Sequence, residues 1–173
     1  MKQLTIIPLF SLLIIINGCL GIPAGVSPVT DFTIERYMGK WYEIARLEHS
    51  FEQGLTKVTA EYSLNDDGSV AVINRGYSEE DNEWKEAQGK AYFVHEEHVG
   101  YLKVSFFWPF YGSYIIFGLD KENYNYAYVC GPNLSYLWLL AREPSIEAGI
   151  IESFINQAQS IGFDTSTLIM VEQ

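Results

Sequence analysis

Asp31-Phe32-Thr33-Ile34-Glu35-Arg36-Tyr37-Met38-Gly39-Lys40-Trp41-Tyr42-Glu43-Ile44-Ala45-Arg46 is the stretch on which the fold turns. An apolar and aromatic lead-in runs into Gly39-Lys40-Trp41, the start of a first strand. The triplet alone is a weak signal. With 14 Gly and 4 Trp in 173 residues, chance supplies roughly a third of a Gly-x-Trp per shuffled chain. Its weight comes from what surrounds it.

Downstream, short strands alternate with turns. Lys57 to Leu64 puts Val58, Ala60, Tyr62 and Leu64 on one face and Lys57, Thr59, Glu61 and Ser63 on the other. Asn65-Asp66-Asp67-Gly68 follows as a hairpin turn, because Asp and Gly tolerate positive φ. Further strands are predicted over 69–77, 84–94, 101–107, 113–119, 124–130 and 134–142. With the strand from Trp41 that makes eight, each joined to the next by a short connection. Eight antiparallel strands connected up and down close into a barrel wide enough for one small ligand; periodicity alone also admits a sandwich.

After Arg142 the period becomes helical. Ile146, Ile150, Ile151, Phe154, Ile155, Ala158 and Ile161 share one side, with Glu147, Glu152, Asn156, Gln157 and Gln159 opposite. Pro144 and Ser145 mark the start and Gly162 the end. A one-sided stripe predicts an α-helix packed on the outside of the barrel, with 167–172 adding a short closing strand.

Composition limits the class. Hydrophobic residues at 48% and aromatics at 15% exclude a disordered chain, and 173 residues suit one domain. Residues 1–18 read as an export signal, with Lys2 followed by the apolar run Leu4 to Ile16. The run ends at Ile16-Asn17-Gly18-Cys19, which resembles the bacterial lipobox. That resemblance implies acylation of Cys19, cleavage before it, and a lipid anchor. Leu20, in place of an Asp, favours the outer membrane. Residues 19–31 then form the acylated Cys and a flexible tether with two Pro and no charge before Asp31, leaving 32–173 as the folded domain. Loss of Lys2 takes the formal charge from −11 to −12, which argues against a nucleic-acid partner. Acylation of Cys19 leaves Cys130 as the remaining thiol, read as an apolar filler on a strand.

The order of export signal, Gly-x-Trp strand, eight strands, Arg, helix and short strand is similar to the lipocalins over residues 30–173. Lys40 to Arg46, Gly89 to Phe93, Leu102 to Phe107, Cys130-Gly131-Pro132 and Tyr136 to Pro144 most resemble the bacterial outer-membrane lipocalins. The resemblance implies an all-β, eight-stranded up-and-down barrel with a C-terminal helix. It further implies that Gly39, Trp41 and Arg142 are a structural signature, Arg142 lying across Trp41 at the closed end. Between the sixth and seventh strands the family's Thr-Asp-Tyr is kept only at Asp120.

Strand parity then sketches a chamber. With Arg142 toward the axis, Leu140, Trp138 and Tyr136 share its face. Leu102, Val104 and Phe106, Tyr114 and Ile116, and Val58, Ala60 and Tyr62 complete the set. An apolar face with a few hydroxyls suits an acyl chain with a polar head, and the expectation is an open, ligand-holding barrel; the alternative is that the same residues fill a solid core. Phe107, Trp108, Phe110 and Tyr111 are too many aromatics for one turn. They rim the mouth, touch lipid, or pair two subunits in a homodimer.

No catalytic constellation emerges. Ser105, Ser113 and Ser135 lack a nucleophile turn. His95-Glu96-Glu97-His98 lies in a turn with no third ligand nearby and reads as a solvated charged loop rather than a metal site. Cys130 is the sole residue that would support a thiol enzyme. The expectation is a cofactor-free, non-enzymatic binder of fatty acids or lysophospholipids, held at the outer membrane by its N-terminal lipid with the barrel facing the periplasm, and supporting envelope maintenance. The competing expectation is an interaction lipoprotein with a filled barrel.

Overall fold

The computed structural model describes residues 20–173; the export signal and Cys19 lie outside the described residues. After a one-turn helix α1 (Ile34–Tyr37) come eight antiparallel strands: β1 (Gly39–Arg46), β2 (Leu55–Leu64), β3 (Val70–Ser78), β4 (Glu83–Phe93), β5 (Tyr101–Phe107), β6 (Phe110–Leu119), β7 (Tyr126–Cys130) and β8 (Leu137–Ala141). Helix α2 (Ala148–Ile161) and the two-residue strand β9 (Ile169–Met170) follow. Each strand pairs with its neighbour in sequence, and β1 pairs with both β2 and β8, so the sheet closes on itself. The sandwich is excluded.

The alternation read in β2 holds across the barrel wall. Ala60 and Tyr62 pair with Asn74 and Val72 on β3, and Trp41 on β1 pairs with Ala60. Two cores result. One lies inside the barrel, where Trp41, Tyr62, Val72, Leu102, Ile116, Val129 and Leu140 are buried. The other lies between the wall and α2, where Ile44, Ala45, Ile115, Cys130, Leu137 and Leu139 meet Phe154 and Ala158. Phe154 stands with its ring centroid 5.1 Å from that of Tyr128, and burying such a side chain contributes about 1.5–3 kcal/mol. That contact is why the helix forms where its stripe predicts, on the outside. Its first residue is Ala148 rather than Ile146, because the backbone is still extended at Glu147, the N-cap.

Chain direction defines the two ends. The connections Asn65–Ser69, Val94–Gly100 and Asp120–Asn125, together with α1, lie at the closed end. The β1–β2, β3–β4, β5–β6 and β7–β8 connections lie at the open end.

Residues 20–31 are not a flexible tether. They run down the outer wall from the open end to the closed end. The Gly21 amide donates to Ser113 Oγ at 3.0 Å, and Val26 is buried in the outer core. Val29 accepts from the Gly100 amide and donates to the Ile116 carbonyl, both at 2.9 Å, while the Phe32 amide reaches the His98 carbonyl. Few of its side chains are charged, which is what allows the segment to pack instead of solvating.

Candidate functional site: the barrel interior

The floor is built from the opening stretch. Gly39 has φ +91°, a left-handed conformation that glycine adopts without penalty, and it turns the chain from α1 into β1. Trp41, fully buried, donates its indole N–H to the Tyr37 carbonyl at 2.8 Å. The Arg142 guanidinium carbon stands 3.9 Å from the Trp41 ring centroid, a cation–π contact worth about 0.5–2 kcal/mol. Its Nη1 and Nη2 donate to the carbonyls of Lys40 and Arg36 at 3.0 and 2.7 Å. The arginine thus ties together the lead-in, the first strand and the end of β8.

Above the floor, three hydroxyls form a chain. Tyr114 shares hydrogen bonds with Tyr37 at 2.7 Å and with Tyr62 at 2.9 Å. Burial raises the pKa of all three phenols well above the ordinary value, so they remain neutral. Their hydroxyls satisfy one another, which lets polar atoms sit in an apolar interior. Ala60, Leu102, Val104, Ile116 and Leu140 line this core as strand parity predicts, and buried Val58 contacts the inner side of Gly76.

Two of the predicted chamber residues stand at its rim. Phe106 is 37% exposed, and its ring lies over Gly89, 2.8 Å from where a Cβ would stand. A register shift between Val104 and Phe107 lifts this end of β5 away from regular pairing. Tyr136 precedes β8, in the connection from β7, where its ring stacks on Phe51 and Trp138 at centroid distances of 5.9 and 6.2 Å.

Below that aromatic rim lies a polar cluster that the sequence reading missed. Glu43, Arg46, His49 and Glu52 are all buried. Arg46 Nη1 donates to Glu43 Oε1 at 2.9 Å, and Nη2 donates to the Glu52 carbonyl at 2.9 Å. Trp138 Nε1 donates to Glu52 Oε2 at 3.1 Å, and His49 Nε2 lies 3.0 Å from the same oxygen. These contacts fold the β1–β2 connection inward across the mouth. Arg46 Nε and His49 Nδ1 are buried without a protein partner.

The carboxyls divide. Burial, then repulsion from Glu52, holds Glu43 well above the usual carboxylate range despite Arg46. For Glu52, burial pushes upward as well, but His49, Trp138 and Arg46 together outweigh it and the net direction is down. Glu43 is the site that takes a proton first.

A bulge explains why this cluster escapes simple alternation. Glu43 pairs with Leu140 and Ala45 with Leu139, so one residue of β1 is inserted between them. Parity resets there, and Arg46, opposite Trp138, faces inward although strict alternation from Trp41 turns it out. Glu43 was legible from its spacing to Trp41; Arg46 was not.

The remaining candidates lie elsewhere. Cys130 is fully buried on the outer wall beneath α2, where burial pushes its thiol up to about 12. His95-Glu96-Glu97-His98 is exposed at the closed end, and among the described residues no three His, Cys, Asp or Glu side chains gather as metal ligands. A groove of about 620 Å³ on the outside of β1–β4 mixes Lys40 and Arg75 with Glu61 and Glu86, without a consistent charge or apolar character.

An eight-stranded barrel closed by a tryptophan–arginine floor, with one outer helix and an apolar interior under a polar girdle, defines a class of small-molecule binding protein. Residues 32–173 match the family model of the lipocalin-like domain, and the chain belongs to the lipocalin family. It is 61% identical over 160 residues to the outer membrane lipoprotein Blc of Vibrio cholerae, covering 92% of this chain and 94% of that protein. It is 50% identical over 151 residues to the Escherichia coli protein of the same name, covering 87% and 85%. Among solved structures, insecticyanin from the tobacco hornworm superposes with a TM-score of 0.68 at 20% identity, over 88% of this chain and 87% of that one. At that identity the likeness is one of fold.

Proposed function

We propose that the barrel binds, stores or carries one single-chain lipid, a fatty acid or lysophospholipid, as an outer-membrane lipoprotein anchored through acylated Cys19. In this reading the domain lies on the periplasmic side and supports maintenance of the envelope. The observation that carries it is Arg46: a buried cation inside a closed apolar barrel, with Nε free to meet an anionic head group and apolar walls below for the acyl chain. The names of the two close bacterial relatives support the location. Binding rather than catalysis is supported by the placement of Cys130, whose protonated thiol faces the helix and not the chamber.

The test is to purify the protein from membranes, extract it, and identify what it carries by mass spectrometry. About one fatty acid or lysophospholipid per chain is expected, together with a change in Trp138 emission on titration of the stripped protein. Trp84→Phe and Trp108→Phe remove the exposed indoles from that signal. Recovery of no lipid and a silent titration would sink the proposal. The buried cluster of Glu43, Arg46, His49 and Glu52 favours one competing reading, a barrel filled by its own side chains, and that reading predicts the silent result.

A further inference from the structure

The hydroxyl chain on the floor has one proton too many. Tyr37, Tyr114 and Tyr62 share two hydrogen bonds, both through Tyr114, and none of the three hydroxyls meets another partner among the described residues. Each bond spends one O–H proton, so one of three is left over whichever way the chain is oriented. Burial keeps all three phenols protonated, and the spare donor is permanent.

A spare acceptor lies next to it. Asn74 on β3 pairs with Ala60, and Val72 with Tyr62, so Asn74 and Tyr62 are diagonal neighbours about 7–8 Å apart at their Cα atoms. Val70 and Val72 are buried in the inner core, and alternation turns Asn74 to the same side. Its Oδ1 is buried without a protein partner. There is room in front of it. Ala87, opposite Asn74 on β4, shares the parity of inner-core Ala91 yet is exposed. Tyr114 and Val104 pack on the inner core and are only partly buried.

Buried polar atoms are nearly always paired, and here a donor and a neighbouring acceptor are both unspent. A methylene chain pairs with neither. A hydroxyl pairs with both, because it accepts from the tyrosine and donates to the amide oxygen. Resting on the lipid binding proposed above, we infer that the chamber floor selects a single-chain lipid hydroxylated part-way along its acyl chain, with the hydroxyl held between the tyrosine trio and Asn74 Oδ1. The wall sets the position. Asn74 stands level with Ala60 and Trp41, and Arg46 lies five residues further along β1, roughly 15 Å of strand. A head group at Arg46 therefore brings the middle of the chain, not its start, to Asn74 and Tyr114, the specificity-determining residues.

The test compares stearate with 3-, 10- and 12-hydroxystearate by calorimetric titration of the full protein, purified from membranes and stripped of lipid. The readout is the ratio of each hydroxy acid's affinity to that of stearate in the same protein. A site built to bond a hydroxyl discriminates strongly against the analogue that lacks it. A mid-chain isomer should therefore bind about tenfold or more tighter than stearate, and 3-hydroxystearate should show no such gain. In Asn74→Leu and in Tyr114→Phe the ratio should fall to about one, whatever each does to stearate itself. Asn74→Leu replaces an unpaired amide by an apolar group of similar volume, so it should fold and carries the comparison even if Tyr114→Phe does not. Equal affinities for all four acids in the parent overturn the inference and assign the two polar groups to a bound water. A mid-chain preference that survives Asn74→Leu overturns it too, as does a preference confined to 3-hydroxystearate. If none of the four acids binds, the lipid-binding function itself has failed, a result distinct from binding without preference.

Discussion

Glu43 and Arg46 are three residues apart on one strand, yet their side chains meet at 2.9 Å inside the barrel, because the bulge between Glu43 and Ala45 places both on the inner face. A buried pair of this kind is costly to break from one side. Arg46→Leu leaves Glu43 and Glu52 without their cation and frees the β1–β2 connection. Urea unfolding should show a loss of about 3–5 kcal/mol. Glu43→Leu with Arg46→Leu should recover part of that loss, and additivity of the two single changes would refute the coupling.

Glu43 also sets a pH dependence. Its folded pKa lies above the unfolded value, chiefly through burial, so the stability it contributes is fully present below the unfolded pKa and is lost as pH rises through the folded one. Glu43→Gln keeps an oxygen for Arg46 Nη1 and removes the charge. The variant should match the parent near pH 4 and melt at a higher temperature at pH 7. An advantage at pH 4 that disappears at pH 7 would reverse the sign and exclude this account.

Arg142→Lys preserves the charge over Trp41 but not the planar fork that reaches the carbonyls of Lys40 and Arg36. Lysine cannot stack and bridge at once. A loss of about 1–3 kcal/mol is expected, with lipid binding retained once folded. Calorimetry and a lipid titration on the same sample separate the two effects.

Cys130 should behave as a packed hydrophobe. With its thiol pushed up to about 12 by burial, iodoacetamide should label it at pH 8 only as fast as the protein opens. Cys130→Ala should cost about 1–2 kcal/mol and leave lipid binding unchanged. Rapid labelling of the native protein would contradict the buried position.

Much of the architecture was legible because period and position agree. Val58, Ala60 and Tyr62 alternate as β2 requires, and Phe154 and Ala158 fall on the stripe that α2 buries. The illegible parts are those where backbone irregularity resets parity or where packing overrules composition. Arg46 turns inward only through a bulge that alternation cannot reveal. His49 and Glu52 enter the barrel from a connection, and no periodicity operates there. Residues 20–31 look like a linker by their Pro and Gly content, but Val26 packs into the outer core and Val29 pairs its backbone with Gly100 and Ile116. Helix α1 is a single turn, too short for a periodic signal.

The seam between β1 and β2 bears on how the protein is made. These strands pair only from Gly39 to Tyr42; above that, the Val171 amide bonds to the Ile44 carbonyl, the Lys57 amide to the Glu172 carbonyl, and Gln173 Nε2 to the carbonyls of Glu43 and Val58. The first strand therefore waits for partners synthesised about a hundred residues later in β8 and later still in 169–173. β2 to β8 pair each with its neighbour in sequence, whereas this seam is non-local, and non-local pairing is the slow part of folding because its loop must close before the contacts form. A barrel closed by such a seam is complete only once residues 169–173 have joined β1 and β2, so the strand that opens the fold is also the one sealed last.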